Sequence, residues 1–298
     1  MADEPLLPAS RFGIAAGLLG IGLGPALAFL TRFDGELGRR LCVRVGGAAD
    51  RLAVATRGSG VDFVGRVLGT LNEAEPAGAA ALTPLLTRTP GPTTLTLSIA
   101  GAEGELGLEQ ICGGPVAAML GALSAGATPL LPSAVARELA AHAGMVREAM
   151  DAIGWARSRG GVVVRAVFAA ADAAPLRKPL LDVLTLLQVP AAQRELAGAL
   201  YGPLSGGGVI VRVGAGPTGV DRVSLELRNL AAGDVVKLWQ SVAPAPGLPA
   251  RFGGLVGAMG TELVTALELT WSRSGAEVEA CFELGPEPVT LPLRRGAS

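Results

Sequence analysis

Arginine and glutamate recur at alternating positions inside short apolar runs, and residues placed so share one face of a strand. In GVIVRVGAGPTGVDRVSLELR, Arg212 precedes a Gly-Pro turn, and Arg222, Glu226 and Arg228 follow it. The same stretch holds Gly214-Ala-Gly216-Pro-Thr-Gly219, the G-x-G-x-x-G spelling of a dinucleotide-binding turn. That chemistry needs a helix after the last glycine, because the pyrophosphate rests on the helix N-terminus. VDRVSLELR instead alternates apolar with polar residues, the period of a strand. Near Trp239, where an acid would hold the ribose, none is free, since Asp234 reads as a helix cap. The glycines are expected to turn a hairpin, and neither flavin nor NAD is expected at 214–219.

Other chemistries are narrowed by residue supply. The single histidine, His142, lies in ARELAAHAGMVREAM, a helical pattern, and reads as structural rather than as a triad base. The three cysteines, Cys42, Cys112 and Cys281, are widely spaced without a C-x-x-C, so no metal site is expected. The net charge is −1 and no Lys/Arg block occurs, which argues against a nucleic-acid partner. Half of the 298 residues are apolar and only 17% are charged, the composition of a folded chain with a sizeable core. Residues 13–30 carry no charge, but the preceding MADEPLLPASRF is not a positive leader, and Gly and Pro interrupt the run. A buried N-terminal helix in a cytoplasmic protein is expected, with no membrane span.

The elements that position the charged residues repeat. LCVRV and RLAVATR form a first hairpin, with Leu41, Val43 and Val45 on one face and Cys42 and Arg44 on the other. Further hairpins follow, with turn centres near Gly47, Ala102, Gly160, Gly216 and Ser274, spaced 55–58 residues apart. Helical stripes lie between them: VDFVGRVLGTL, then a segment over 133–150 capped by Ser133, then KPLLDVLTLLQVP and GDVVKLWQSV. Ten antiparallel strands either form an open sheet with a polar face in solvent, or close. Closure is expected, because the interleaved helices hold enough apolar surface to cover one face. The polar parity then faces a lumen: Arg44, Thr96, Ser98, Glu105, Glu109, Arg165, Arg212, Arg222, Glu226, Arg228, Glu268, Thr270, Glu277, Glu279 and Cys281.

This organisation resembles that of the ABBA aromatic prenyltransferases. The likeness runs from about residue 10 to 285 and includes AAGLLGIGLGPALAFLTRFDGEL, GVDRVSLEL and GDVVKLWQSVAPAP, which are similar to the bacterial branch. It implies an α/β chain of one domain over 1–298, with flexible ends at about 1–9 and 286–298. Its fold would be a ten-stranded antiparallel β-barrel of five αββα repeats surrounded by helices, the PT barrel. It also implies a chemistry in which an allylic diphosphate ionises and an aromatic acceptor attacks the cation, with protein cations holding the leaving group. Arg222 matches a family arginine that contacts diphosphate; Arg165 lies beside another polar contact, at Val163. The departures are Glu105 and Glu109 where the family has a lysine, Glu277 at a second lysine, and Ala53 at an aspartate that serves magnesium in some members. The only tyrosine, Tyr201, reads as lying outside the strands.

Three functions follow. A prenyltransferase would bind diphosphate through Arg44, Arg165, Arg212 and Arg222 and use Glu268 as base. A diphosphate-independent cyclase or rearrangement enzyme would use Glu226, Glu268, Glu277 and Glu279 as acid/base groups, with arginines polarising a carbonyl. A non-catalytic barrel would bind a small molecule in the same chamber. Thr96, Ser98, Glu279 and Cys281 are expected to line it. Magnesium is not implied, and the expected assembly is a monomer or weak homodimer.

Overall fold

A computed structural model describes residues 8–33, 40–46, 49–88, 91–101, 103–125, 129–158, 161–200, 208–242, 248–260 and 263–284. Helix pairs alternate with hairpins throughout. Helices α1 (Pro8–Leu19) and α2 (Gly24–Arg32) precede strands β1 (Arg40–Gly46) and β2 (Arg51–Gly58). Then come α3 (Val61–Ala74), α4 (Pro76–Arg88), β3 (Thr93–Ala100) and β4 (Glu103–Pro115). The third unit is α5 (Val116–Leu123), α6 (Ser133–Val146), β5 (Ala149–Ser158) and β6 (Gly161–Ala170). The fourth is α7 (Ala174–Leu186), α8 (Ala191–Leu200), β7 (Val209–Gly216) and β8 (Gly219–Ala231). The fifth is α9 (Ala232–Val242), α10 (Leu248–Met259), β9 (Leu263–Ser272) and β10 (Gly275–Leu284). The strands close into an antiparallel barrel in the order β1-β10-β9-β8-β7-β6-β5-β4-β3-β2.

Strand parity decides what goes where. Val43, Val45, Leu52, Val54, Leu95, Ile99, Phe168, Leu269, Trp271 and Phe282 point outward and are buried beneath the helices. Each such side chain contributes about 1.5–3 kcal/mol of burial, so the core is the annulus between barrel and helices. α3 turns Phe63, Val67, Thr70 and Leu71 inward, whereas Val61, which the sequence pattern places on its stripe, is 88% exposed.

Several boundaries differ from the sequence reading. The uncharged run over 13–30 forms two helices, broken where Gly20 takes φ +65° and Pro25 opens α2. Ser133 does not cap α6; Pro132 holds that position and Ser133 is the first helical residue. The helical pattern to residue 150 stops at Val146, because Ala149 and Met150 pair with Pro115 and Gly114 of β4. Pairing along an otherwise unsatisfied strand edge outweighs helix propensity there. Pro8 and Ala9 belong to α1, and the rest of the ends expected to be flexible lies outside the described residues. Among the described residues no helix is long and apolar enough to cross a membrane.

Candidate functional site

The lumen is divided across its axis. A cavity of about 530 Å³ occupies the end with the hairpin turns. A smaller one of about 140 Å³ occupies the end where the helices attach. Arg44, Thr96, Glu109, Arg212, Glu268 and Glu279 border both and form the partition. Its members are tied by charge: Arg44 to Glu279 at 2.6 Å, and Arg212 to Glu226 at 2.7 Å, Glu109 at 3.7 Å and Glu268 at 3.8 Å. On the β4–β7 side the lumen below is filled by Ala152, Val167, Ala169 and Ile210.

Carboxylates meet head-on in this layer. Glu226 stands opposite Glu268, and Glu268 opposite Glu279, across adjacent strands. Like charges in cross-strand pairs are unfavourable unless cations intervene. Burial pushes the Glu226 carboxyl up, but Arg212 and Arg228 overcome it and bring it down to about 2. Burial likewise raises Glu268, and Arg212, Arg165 and Arg44 outweigh it, so its carboxyl lies below the usual range. Ser224 Oγ donates to Glu268 Oε1 at 2.7 Å and fixes that carboxylate's orientation.

Above the partition, one cross-strand row carries the site. Glu109, Gly154, Arg165, Gly214 and Arg222 are consecutive partners across β4, β5, β6, β7 and β8. The two glycines make room for the arginines on either side. A Cβ on Gly214 would sit 2.8 Å from Arg222 Cγ and 3.6 Å from Arg165 Cγ; one on Gly154 would sit 3.4 Å from Arg165 Cβ. Arg165 has no carboxylate within ion-pair distance among the described residues. Burial lowers its pKa, Glu268 opposes that, and Arg212, Arg222 and Arg44 lower it further. The guanidinium stays charged in this field, so an added anion would relieve the repulsion. Arg212 Nη1 is also a buried donor with no hydrogen-bond acceptor among the described residues.

Arg222 sits beside a bulge. Gly214 pairs with Arg222 but Ala215 pairs with Val220, which leaves Asp221 as the extra residue. The bulge turns Val220 outward into the core while Arg222 keeps facing the chamber. Asp221 then grips Arg222 through two hydrogen bonds, at 2.8 and 2.6 Å.

Most of the expected residues come together. Arg44, Arg165, Arg212, Arg222, Thr96, Ser98, Glu268, Glu277 and Glu279 line the larger chamber. Glu226 and Cys281 do not; they border the smaller cavity, below the partition. There Glu226 pairs with both Arg212 and Arg228. Of the G-x-G-x-x-G glycines, Gly214 lies inside β7, Gly216 and Gly219 flank the turn, and no helix follows Gly219. His142 sits on α6 with Nδ1 2.8 Å from the Glu138 carbonyl, away from the chamber. Tyr201 lies outside the described residues. Ser224 and Arg51 also line the chamber; the parity of Arg222 and Glu226 in β8, and the polar face of β2, were the signals for them.

No protein-family model and no curated protein matches this sequence. Solved structures do. The chain is similar to 6-dimethylallyl tryptophan synthase, at 11% identity over 96% of this chain and 97% of that one, with a TM-score of 0.62. It is also similar to AnaPT from Neosartorya fischeri, at 12% identity over 93% and 92% of the two chains, with a TM-score of 0.64. What is shared at these identities is the fold, the ten-stranded PT barrel.

Proposed function

We propose that the larger chamber transfers a prenyl group from an allylic diphosphate to an aromatic or other small-molecule acceptor. The observation that carries this reading is Arg165, a cation among cations with no carboxylate of its own, set between two glycines beside Arg222. A diphosphate there would meet Arg165, Arg222 and Arg212 Nη1, which has no hydrogen-bond partner among the described residues. The allylic C–O bond breaks and its electron pair leaves on the diphosphate, whose growing charge these donors stabilise. The acceptor's π electrons then form the new C–C bond, and Glu268 takes the proton released as the ring regains aromaticity. A carboxylate of lowered pKa is a weak base, but the cationic intermediate is a strong acid, so the transfer is downhill. The name of one similar structure, 6-dimethylallyl tryptophan synthase, supports the same chemical class.

The first test is a thermal shift. Dimethylallyl or geranyl diphosphate should raise the melting temperature, and Arg165→Ala should remove the shift. No binding by allylic diphosphates of any chain length would sink this reading.

One observation favours a second function, a diphosphate-independent cyclase or rearrangement enzyme. Arg44, Arg51, Arg212 and Arg222 each already face a carboxylate, so a multiply charged leaving group would compete with existing pairs. In that case Arg165 polarises a substrate carbonyl. Glu277, which has no ion-pair partner within 4.0 Å among the described residues, exchanges the proton. Inorganic pyrophosphate should compete with substrate under the first reading and leave turnover unchanged under the second.

A further inference from the structure

Every pair of neighbouring strands in the barrel is consecutive in the chain except one: β1 and β10 meet at the closing seam. Arg40 of β1 and Glu283 of β10 bridge that seam at 3.2 Å, and both border the smaller cavity. Arg57 of β2 borders it too. Arg40 is opposite Ala55, and Arg57 lies two residues further along the same face of β2, so the two arginines are diagonal neighbours.

The other arginines of this cavity are matched to carboxylates. Arg40 faces Glu283, Arg44 faces Glu279, and Arg212 and Arg228 share Glu226. Arg57 has neither an ion pair nor a hydrogen bond from its side chain among the described residues. Burial lowers its pKa, Arg40 lowers it further, and only Glu109 opposes them. The guanidinium stays charged, so Arg57 is an uncompensated cation at the cavity wall. Thr94 stands directly opposite it on β3, borders the cavity, and has a hydroxyl with no hydrogen-bond partner among the described residues. Glu109 is the next residue across, opposite Thr94 on β4. One negative charge would answer Arg57; a multiply charged group would meet Glu109 and Glu283.

We propose that the smaller cavity is a second anion site, which takes a small monocarboxylate on Arg57 and Thr94. The planar guanidinium fork matches the two oxygens of a carboxylate, and the Thr94 hydroxyl donates to one of them. Ala53, Ala55 and Ile111 offer an apolar wall for a short alkyl group. The cavity's volume of about 140 Å³ equals the liquid share of roughly four or five waters, room for formate or acetate. The site lies across the partition from Arg165, which borders the larger chamber and not the smaller one. It therefore does not depend on what the larger chamber binds.

The test follows the melting temperature of the full-length protein in sodium acetate against sodium chloride at matched ionic strength. Acetate should give a saturable rise, and Arg165→Ala should leave it unchanged. Arg57→Ala should raise the half-saturating acetate concentration by about tenfold or more, and Thr94→Val by about threefold. Arg57→Lys, which keeps the charge and loses the fork, should fall between wild type and Arg57→Ala. If Arg57→Ala fails to fold, Arg57→Lys and Thr94→Val decide. The proposal is overturned by the absence of a saturable acetate shift, by equal acetate binding in wild type and the Arg57 variants, or by tighter binding of inorganic phosphate than of acetate. An acetate shift lost in Arg165→Ala would place the ligand in the larger chamber and overturn it too.

Discussion

Gly214 has the smallest side chain in the site and one of the largest effects on it. Its missing Cβ leaves the space through which Arg222 and Arg165 approach. Its φ is not positive, so alanine is tolerated by the backbone and, on conformational entropy, is neutral or stabilising by about 0.4–1 kcal/mol. Gly214→Ala is therefore expected to weaken anion binding by about three- to tenfold, a loss of about 1 kcal/mol, while the melting temperature holds. A titration with dimethylallyl diphosphate beside a thermal melt separates the two effects. At this scale the arginines and glutamates were legible, because a polar residue recurring every second position announces its face. Gly214 was not, since parity sorts side chains and a glycine has none to sort. The role of Glu226 was hidden too: parity says that a side chain faces the lumen, not which cations it meets at what depth.

β8 carries its most consequential irregularity at Asp221. The sequence records it as a break in phase: Val220 lies three residues before Val223, where strict alternation would put the apolar partners two apart. The structure resolves that break as the bulge. Burial raises no obstacle to releasing Arg222, since both members of its pair with Asp221 are more than a third exposed. Such a pair is worth little in stability, but it occupies the guanidinium. Asp221→Ala should therefore tighten anion binding by about two- to fivefold at low salt with little change in stability. Binding curves at two salt concentrations check both sign and origin, because screening reduces the gain. Hairpins and helix stripes were legible from their periods of 2 and 3.6. The α6–β5 boundary was not, because residues 149–150 are claimed by a strand distant in sequence.

The whole barrel depends on a charged cross-section, and that makes its stability sensitive to acid. The folded carboxyl of Glu226, at about 2, lies below its unfolded value of about 4.3. Its contribution is thus present above pH ~4.3 and is lost as pH falls through the folded value. Glu226→Gln should flatten the fall in stability between about pH 4.3 and 2 and lower the neutral-pH stability by about 2–4 kcal/mol, since Arg212 and Arg228 lose a buried anion. Urea melts across that range measure it. The architecture was legible at this scale because a repeat of 55–58 residues counted the units and parity counted the faces. The partition was not, because charges from β1, β4, β7, β8, β9 and β10 converge only once the ring has closed.

The closing seam has a geometric consequence. β10 is followed in space by β1, reached in the chain through α1 and α2, just as each other hairpin is reached through its own helix pair. The five units form a cycle in which the place where the chain starts is topologically arbitrary. The fold follows a cyclic order of units, and the linear order is one of five ways to write it.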